Sequence, residues 1–567
     1  MISMISPIYE KIGRKGKIHT SGLVPVYPLT EGVTQKQVRF LIRQSLEFLN
    51  ELEEILPTHI KERQKLLDLD QAISNIHFPQ SKEYLHRARA RLAFDELFIL
   101  QLKSGIIKKE RESSQAQAIA FKEKDTREFV DSLPFQLTED QKKSAWRILK
   151  DMEEAKPMAR LLNGDVGSGK TVVAAIAMLN TALNGLQSAL MAPTEILARQ
   201  HYGSIKKLLG SFPIRIALLS SSTRALNTDD KIGKAKLFEM IANGEVDIVI
   251  GTHALVSEKL KFEKLGLAVI DEQHRFGVAQ RKALIEKSGN PGTVPHLLSM
   301  TATPIPRSLA LTLFGDLDIS VISQMPSGRK PIITKLVFDS GRQKVYDFVR
   351  EQIASGRQAF VICPLIEESD TLGVKSAESE YKLLNENIFK DIPMAMLHGK
   401  MKPKEKEEIM KGFLENKHKI LVSTSVVEVG VDVPNATIMM IEGSERFGLA
   451  QLHQFRGRVG RGDLQSYCVM FTGSNSPDTL KRLKIMENTR DGFKLAQMDL
   501  ELRGSGEIYG TRQKGFPEMK IATLWDLELM RNAKVEADKL INTDPEFKSA
   551  LILKEEVDRS LKEIHLE

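Results

Sequence analysis

The chain has 567 residues, with 81 Lys and Arg against 74 Asp and Glu, a formal net charge of +7 and 42% hydrophobic residues. That length predicts roughly three or four domains. The ordinary composition, with no apolar run near the ~18 residues of a membrane span, excludes a disordered, fibrous or membrane-embedded chain. The cysteines, Cys363 and Cys468, stand in separate segments, which excludes a disulfide framework or a cysteine-rich zinc site and fits a reducing cytoplasm; the basic excess is compatible with a polyanionic partner without naming one.

Residues 1–33 carry Gly13, Gly16, Gly22, Pro25, Pro28 and Gly32 with little periodicity, and read as a tail and linker. Residues 34–133 turn helical. Val38, Leu41, Ile42, Leu46 and Leu49 follow helical spacing behind Thr34, a residue suited to an N-cap. Leu85, Ala88, Leu92, Phe94, Leu97 and Leu100 predict a second long helix, on which His86, Arg87, Arg89 and Arg91 form either a solvated face or a nucleic-acid contact. From residue 134 to 325 short apolar runs alternate with helical stretches: Arg160–Leu162, Ser188–Met191, Ile214–Leu219, Asp247–Ile250, Leu267–Ile270 and His296–Ser299. That alternation predicts a doubly wound parallel sheet. Met325 to Pro331, rich in Pro, Gly and basic residues, reads as a linker covering 326–335. The alternation restarts over 336–480 with Ala359–Cys363, Met394–Leu397, Ile420–Ser423, Thr437–Glu442 and Ser466–Phe471. Residues 481–567 are helical and charged, interrupted by a Gly-rich stretch from Arg503 to Gly515. The fold class is therefore α/β, two doubly wound domains in tandem between a helical N-terminal region and a helical C-terminal segment. The cleft between the tandem domains is the expected place for chemistry.

Three stretches carry that chemistry. Gly164, Asp165, Val166, Gly167, Ser168, Gly169, Lys170 and Thr171 fit G-x-x-x-x-G-K-[ST] between a strand and a helix. The glycines let backbone N–H groups curl round phosphate oxygens at a helix N-terminus; Lys170 reaches the outer phosphates and Thr171 holds Mg²⁺. The run Leu267–Ile270 ends in Asp271 and Glu272, suited to the Mg²⁺ shell and to deprotonating the attacking water. In the second α/β domain, Arg458 and Arg461 stand one helical turn apart and are expected to share a face. From there they would stabilise γ-phosphate charge across the cleft, although a basic nucleic-acid patch or a solvated helix has the same pattern.

In order and spacing these motifs resemble superfamily 2 helicases of the DExH type, and most specifically the RecG family of bacterial ATP-dependent DNA helicases. Phe135 to Gln141 resembles the adenine-reading Q motif, which makes Phe135 and Gln141 cofactor-binding residues, with Gln141 the base contact. Ala192–Ala198 and Gly251–Leu255 resemble DNA-backbone motifs. Asp271-Glu272-Gln273-His274 resembles the DExH box, Thr301–Pro304 the motif coupling hydrolysis to lobe movement, and Val422–Thr437 (with Glu428, Gly430 and Asp432) and Gln451–Arg461 the second-lobe motifs. Asp499–Glu507 and Gly510–Gln513 resemble the translocation motif that RecG shares with the transcription-repair coupling factor; Ser505 stands where that family usually has Pro. The resemblance implies RecA-like domains, ATP and Mg²⁺, DNA movement carried by Arg503, Arg512 and Gln513, and a cytoplasmic, monomeric enzyme with no membrane contact that remodels duplex and branched DNA in recombination and repair. The family carries an OB-fold wedge ahead of the segment starting at Gly22; the 21 residues before it here are too few for about five strands. A naturally short form and a recorded start that omits the wedge both fit, and either leaves a duplex-stimulated ATPase with little fork specificity as an alternative activity. A DExH RNA helicase and a non-hydrolysing DNA-binding remnant are the other readings; the coupling factor's polymerase-binding modules have no room.

Overall fold

The computed structural model describes residues 23–228, 232–287, 289, 292–306, 310, 315–326, 330–364, 371–424, 433–460, 462, 464–503, 519–522 and 526–564. The chain divides into two compact units, one of residues 1–110, 312–316 and 516–567 and the other of residues 111–311 and 317–515.

In the first unit, Thr34 caps the helix Gln35–Ser45 reciprocally with Gln37, a capping box that satisfies two otherwise orphaned N–H groups. The helix Lys82–Ser113 runs for 32 residues. It buries Phe94, Leu97, Phe98 and Leu102 completely. Arg91 is also fully buried, bonded to Glu54 and 3.4 Å from Asp95. It is thus neither a solvated position nor a nucleic-acid contact: the region folds around it as a buried charge with paired carboxylates. Burial pushes the Asp95 carboxyl up to about 7 against the pull of Arg91. From the C-terminal helix Leu527–Thr543, buried Glu536 accepts from Arg63 Nη1 at 2.8 Å and Gln64 Nε2 at 3.0 Å, which is why the two chain ends form one unit.

Residues 111–133, read from sequence with the N-terminal helices, belong to the second unit. Ala116 and Ile119 donate their N–H groups to Ala155 and Met152, and Ile119 and Phe129 enter the core of the first α/β lobe. That lobe is built on an eight-stranded sheet in the order β4-β3-β5-β2-β6-β7-β1-β8. Its strands are β1 (Ala159–Gly164), β2 (Gln187–Met191), β3 (Ile216–Leu219), β4 (Arg224–Leu226), β5 (Ile248–Gly251), β6 (Leu265–Ile270), β7 (His296–Thr301) and β8 (Asp318–Ile322). All neighbours are parallel except β3 and β4. The central strands are buried on both faces, so they read as unbroken apolar runs. The helix Lys170–Leu183 is apolar all round because it is buried nearly throughout.

The second lobe carries six parallel strands in the order β11-β12-β10-β13-β14-β9. These are β9 (Ile333–Phe338), β10 (Gln358–Ile362), β11 (Met394–Leu397), β12 (Ile420–Ser423), β13 (Ala436–Ile441) and β14 (Tyr467–Thr472). β9 begins inside the stretch expected to be linker and pairs with β14 from Ile333 to Phe338. Among the described residues no helix is long and apolar enough to cross a membrane.

Candidate nucleotide site and its lobe contacts

The strand order sets the site. β6, β7 and β1 are adjacent and parallel, so the loops after Gly164, Ile270 and Thr301 leave the same edge of the sheet side by side. Between β1 and the helix at Lys170 the chain turns tightly, with Gly167 at φ +76° and Gly169 at φ +83°. A Cβ at Gly169 would lie 2.2 Å from Gln141 Nε2, so this position needs glycine for space as well as for conformation. Lys170 Nζ donates to the carbonyls of Gly164 at 2.8 Å and Asp165 at 2.9 Å. Ser168 Oγ is buried without a hydrogen-bond partner, an orphaned polar atom that a phosphate or metal-bound water would satisfy.

Gln141 stands behind this loop. Thr138 and Gln141 form a capping box at the helix Glu139–Met152, with Gln141 Oε1 accepting from Thr138 N–H at 2.8 Å. Gln141 Nε2 donates to the Ser168 carbonyl at 2.8 Å. Both ends of its amide are thus engaged, bracing the phosphate loop, with a second N–H and a second lone pair left for the base contact expected from sequence. Phe135 is exposed nearby in sequence.

Asp271 is buried and Glu272 half-buried at the end of β6. Asp271 Oδ2 meets His201 Nε2 at 2.7 Å, and Oδ1 accepts from Glu272 N–H at 3.1 Å. Burial would raise the Asp271 carboxyl, but the His201 bond and Lys170 outweigh it and hold it below the usual carboxylate range. Glu272 goes the other way: burial and the Asp271 charge raise it, with Lys170 and Arg458 opposing. Two adjacent carboxylates are therefore driven apart, one kept ionised and one made a better proton acceptor. Glu272 has φ +50°, a left-handed conformation costing a non-glycine residue about 1–3 kcal/mol and characteristic of functional sites. Its Oε2 accepts from Ala302 N–H at 3.4 Å, in the loop after β7.

The second lobe reaches this site through the helix Leu449–Arg456. His453 Nδ1 accepts from Arg456 Nη2 at 2.8 Å, and since arginine only donates, the ring proton is on Nε2, which donates to Asp165 Oδ1 at 2.6 Å. Burial would raise Asp165, but the hydrogen bonds from His453 and Val166 N–H hold it down. The Asp165 side chain is thus bonded to the opposite lobe, while the phosphate-loop role expected from sequence is one for the backbone. Gln454 Nε2 donates to Thr303 Oγ1 at 2.8 Å, and Arg199 pairs with Glu407 at 2.7 Å in a second inter-lobe bridge. Arg456 donates on to the carbonyls of Met486, Thr489 and Arg490.

Arg458 is buried, and its charge acts on Glu272. Arg458 stands beyond the helix on which its spacing was read: the helix ends at Arg456, Gly457 caps it and Gly460 takes φ +75°. Arg461, Arg512, Gln513 and the stretch holding Glu428, Gly430 and Asp432 lie outside the described residues, as do the side chains of His274 and Arg503. Sequence reasoning missed His201, and within the second-lobe motif Gln451–Arg461 it did not single out His453 and Arg456, which stand at i, i+3 on one helix.

A hydrogen bond to an ionised group is worth about 1.5–3 kcal/mol. His453→Ala is therefore expected to shift the lobes toward separation, read as a lower energy-transfer efficiency between dyes placed on the two sheets. Unchanged efficiency would mean that Gln454 and Arg199 hold the lobes by themselves.

The chain matches the DEAD/DEAH box helicase family over residues 138–312, the helicase conserved C-terminal domain over 342–463 and the C-terminal part of domain 3 of ATP-dependent DNA helicase RecG over 489–566. It is 44% identical to the ATP-dependent DNA helicase RecG of Bacillus subtilis over 541 residues, covering 94% of this chain and 78% of that protein. The chain belongs to the RecG family. RecG of Synechocystis sp. is 46% identical over 93% of this chain, and RecG of Thermotoga maritima 46% over 91%. The chain spans 62% and 65% of the lengths of those two relatives. A solved structure of RecG bound to a three-way DNA junction superposes with a TM-score of 0.74 at 42% identity, covering 89% of this chain and 66% of that one.

Proposed function

We propose that the chain is the ATP-driven motor of a RecG-type DNA helicase, working on duplex and branched DNA in the cytoplasm in recombination and repair. What carries this reading is the convergence, within one compact unit, of Lys170, the Asp271–Glu272 pair and Arg458 from the opposite lobe, in a chain of this family. Lys170 and the backbone of Gly164 to Thr171 hold the phosphates of ATP. Thr171 and Asp271 would hold Mg²⁺; the orphaned Ser168 hydroxyl and the ionised Asp271 suit such a group. The ion, when bound, offsets negative charge on the phosphates. Glu272 takes the proton of the attacking water. Arg458, with Arg461, offsets charge on the transferring phosphoryl group. Phe135 packs on the adenine, and Gln141 fixes the loop beneath it. Arg503, Arg512 and Gln513 convert lobe movement into DNA movement.

ATP turnover by the 567-residue chain, measured with a three-way junction, a linear duplex and a duplex RNA of equal length at matched salt, tests this. Stimulation is expected to fall in that order. Equal stimulation by RNA would favour an RNA helicase, equal stimulation by both DNAs a duplex-driven ATPase, and no turnover at all a non-hydrolysing remnant.

A further inference from the structure

One carboxylate outside the nucleotide site has a conspicuous load. Glu96 of the helix Lys82–Ser113 accepts three consecutive backbone N–H groups: Lys520 on Oε1 at 3.1 Å, and Ile521 and Ala522 on Oε2 at 3.1 and 2.8 Å. Successive N–H groups turned to one side form a concave anion-binding nest. Here the chain supplies its own anion. The mount is stiff, because Phe94, Leu97 and Phe98 beside Glu96 are fully buried and Arg91 and Asp95 are paired one turn away. On the other side of the contact Ala522 is buried, and the following helix Leu527–Thr543 is held to the same unit through Glu536.

Residues 520–522 come a few positions after Arg512 and Gln513 in the chain. A segment that converts lobe movement into DNA movement transmits displacement only when its far end is fixed; with a slack end the same displacement is taken up by the backbone. We propose that Glu96 is the positioning residue of the translocation segment, the fixed anchor at its C-terminal end. This rests on the reading of Arg503, Arg512 and Gln513 given above. Among the described residues Glu96 bonds to Lys520, Ile521 and Ala522, none of them part of the nucleotide site, so hydrolysis is expected to proceed without it while movement per ATP does not.

The test compares Glu96→Ala, Glu96→Gln and Arg512→Ala in the full chain. The readouts are ATP turnover, base pairs displaced per ATP on a strand-labelled three-way junction, and amide hydrogen exchange at residues 520–522. Glu96→Ala is expected to turn over ATP within a factor of ~2 of the parent chain while displacing ~10-fold fewer base pairs per ATP, the scale on which residues remote from a site change coupling. Exchange at Ile521 and Ala522 should rise. Glu96→Gln keeps a carbonyl oxygen but turns an amide toward one N–H, so it should fall between. A purely structural residue would not separate displacement from turnover. If exchange rises while displacement per ATP stays intact and Arg512→Ala loses it, Glu96 is no anchor and the reading of the segment stands. If neither variant changes displacement per ATP, the reading of the segment fails, and the anchor with it. Parallel loss of turnover and displacement in both Glu96 variants also overturns the proposal.

Discussion

Glu272→Gln is expected to bind ATP as well as the parent chain does and to hydrolyse it ~10²–10⁴-fold more slowly, the contribution of one positioned general base. The substitution is close to isosteric, so the Ala302 N–H that reaches Glu272 Oε2 keeps an oxygen partner. The phosphate loop, Lys170 and Asp271 are untouched, which preserves binding. What is lost is proton-accepting capacity, since an amide has no pKa in reach. The carboxyl it replaces is unusually suited to the task. Burial and the neighbouring Asp271 charge raise it, and a raised carboxyl accepts a proton more readily at neutral pH than an ordinary one. Its left-handed backbone, and the N–H from the loop after β7 on its side chain, argue that its position is set for chemistry and not by local preference. Single-turnover hydrolysis together with nucleotide binding checks this; turnover within a factor of ~10 of the parent chain would remove Glu272 from the role of base.

Much of this site is written locally, and the rest is not, for physical reasons visible in particular residues. The phosphate loop is legible because its demands are short-range: Gly167 and Gly169 need positive φ, and Lys170 must follow within one turn. Phe135 to Gln141 is legible as a likeness to the Q motif, though not that Thr138 and Gln141 cap a helix or that the same glutamine also braces Ser168. The buried strands β1, β2, β6, β10 and β12 show as apolar runs because water touches neither face. β4, β8 and β9 escaped because β4 has three residues, and β8 and β9 sit at sheet edges with partly exposed side chains. β9 also follows a Pro- and Gly-rich stretch that reads as linker. His201 and His453 could not be found because each meets its carboxylate across 70 and 288 residues of chain. A solitary histidine on a helix gives no sign of such a partner. The helical spacing used for Arg458 failed for the opposite reason: a local rule was applied past Gly457, where the helix had already ended.

Arg458→Ala is expected to reduce ATP turnover by ~10³–10⁵-fold, the range attributed to an arginine offsetting charge in phosphoryl transfer. The expectation no longer rests on helical spacing. It rests on where the second lobe places the residue: Arg458 is buried, two residues past an arginine anchored on three carbonyls, and its charge acts on the base, Glu272. A solvated arginine would have little influence on a half-buried carboxyl in the other lobe, because water would screen it. Arg458→Lys should not restore turnover, since an ammonium is a point charge without the planar fork that engages two phosphate oxygens together. The lobe contacts through His453 and Gln454 do not involve this side chain, so DNA affinity measured without nucleotide should change far less than turnover does. Turnover retained in Arg458→Ala alongside lost DNA affinity would make the residue a phosphate-backbone contact, and would leave Arg461 as the remaining second-lobe arginine for the transition state.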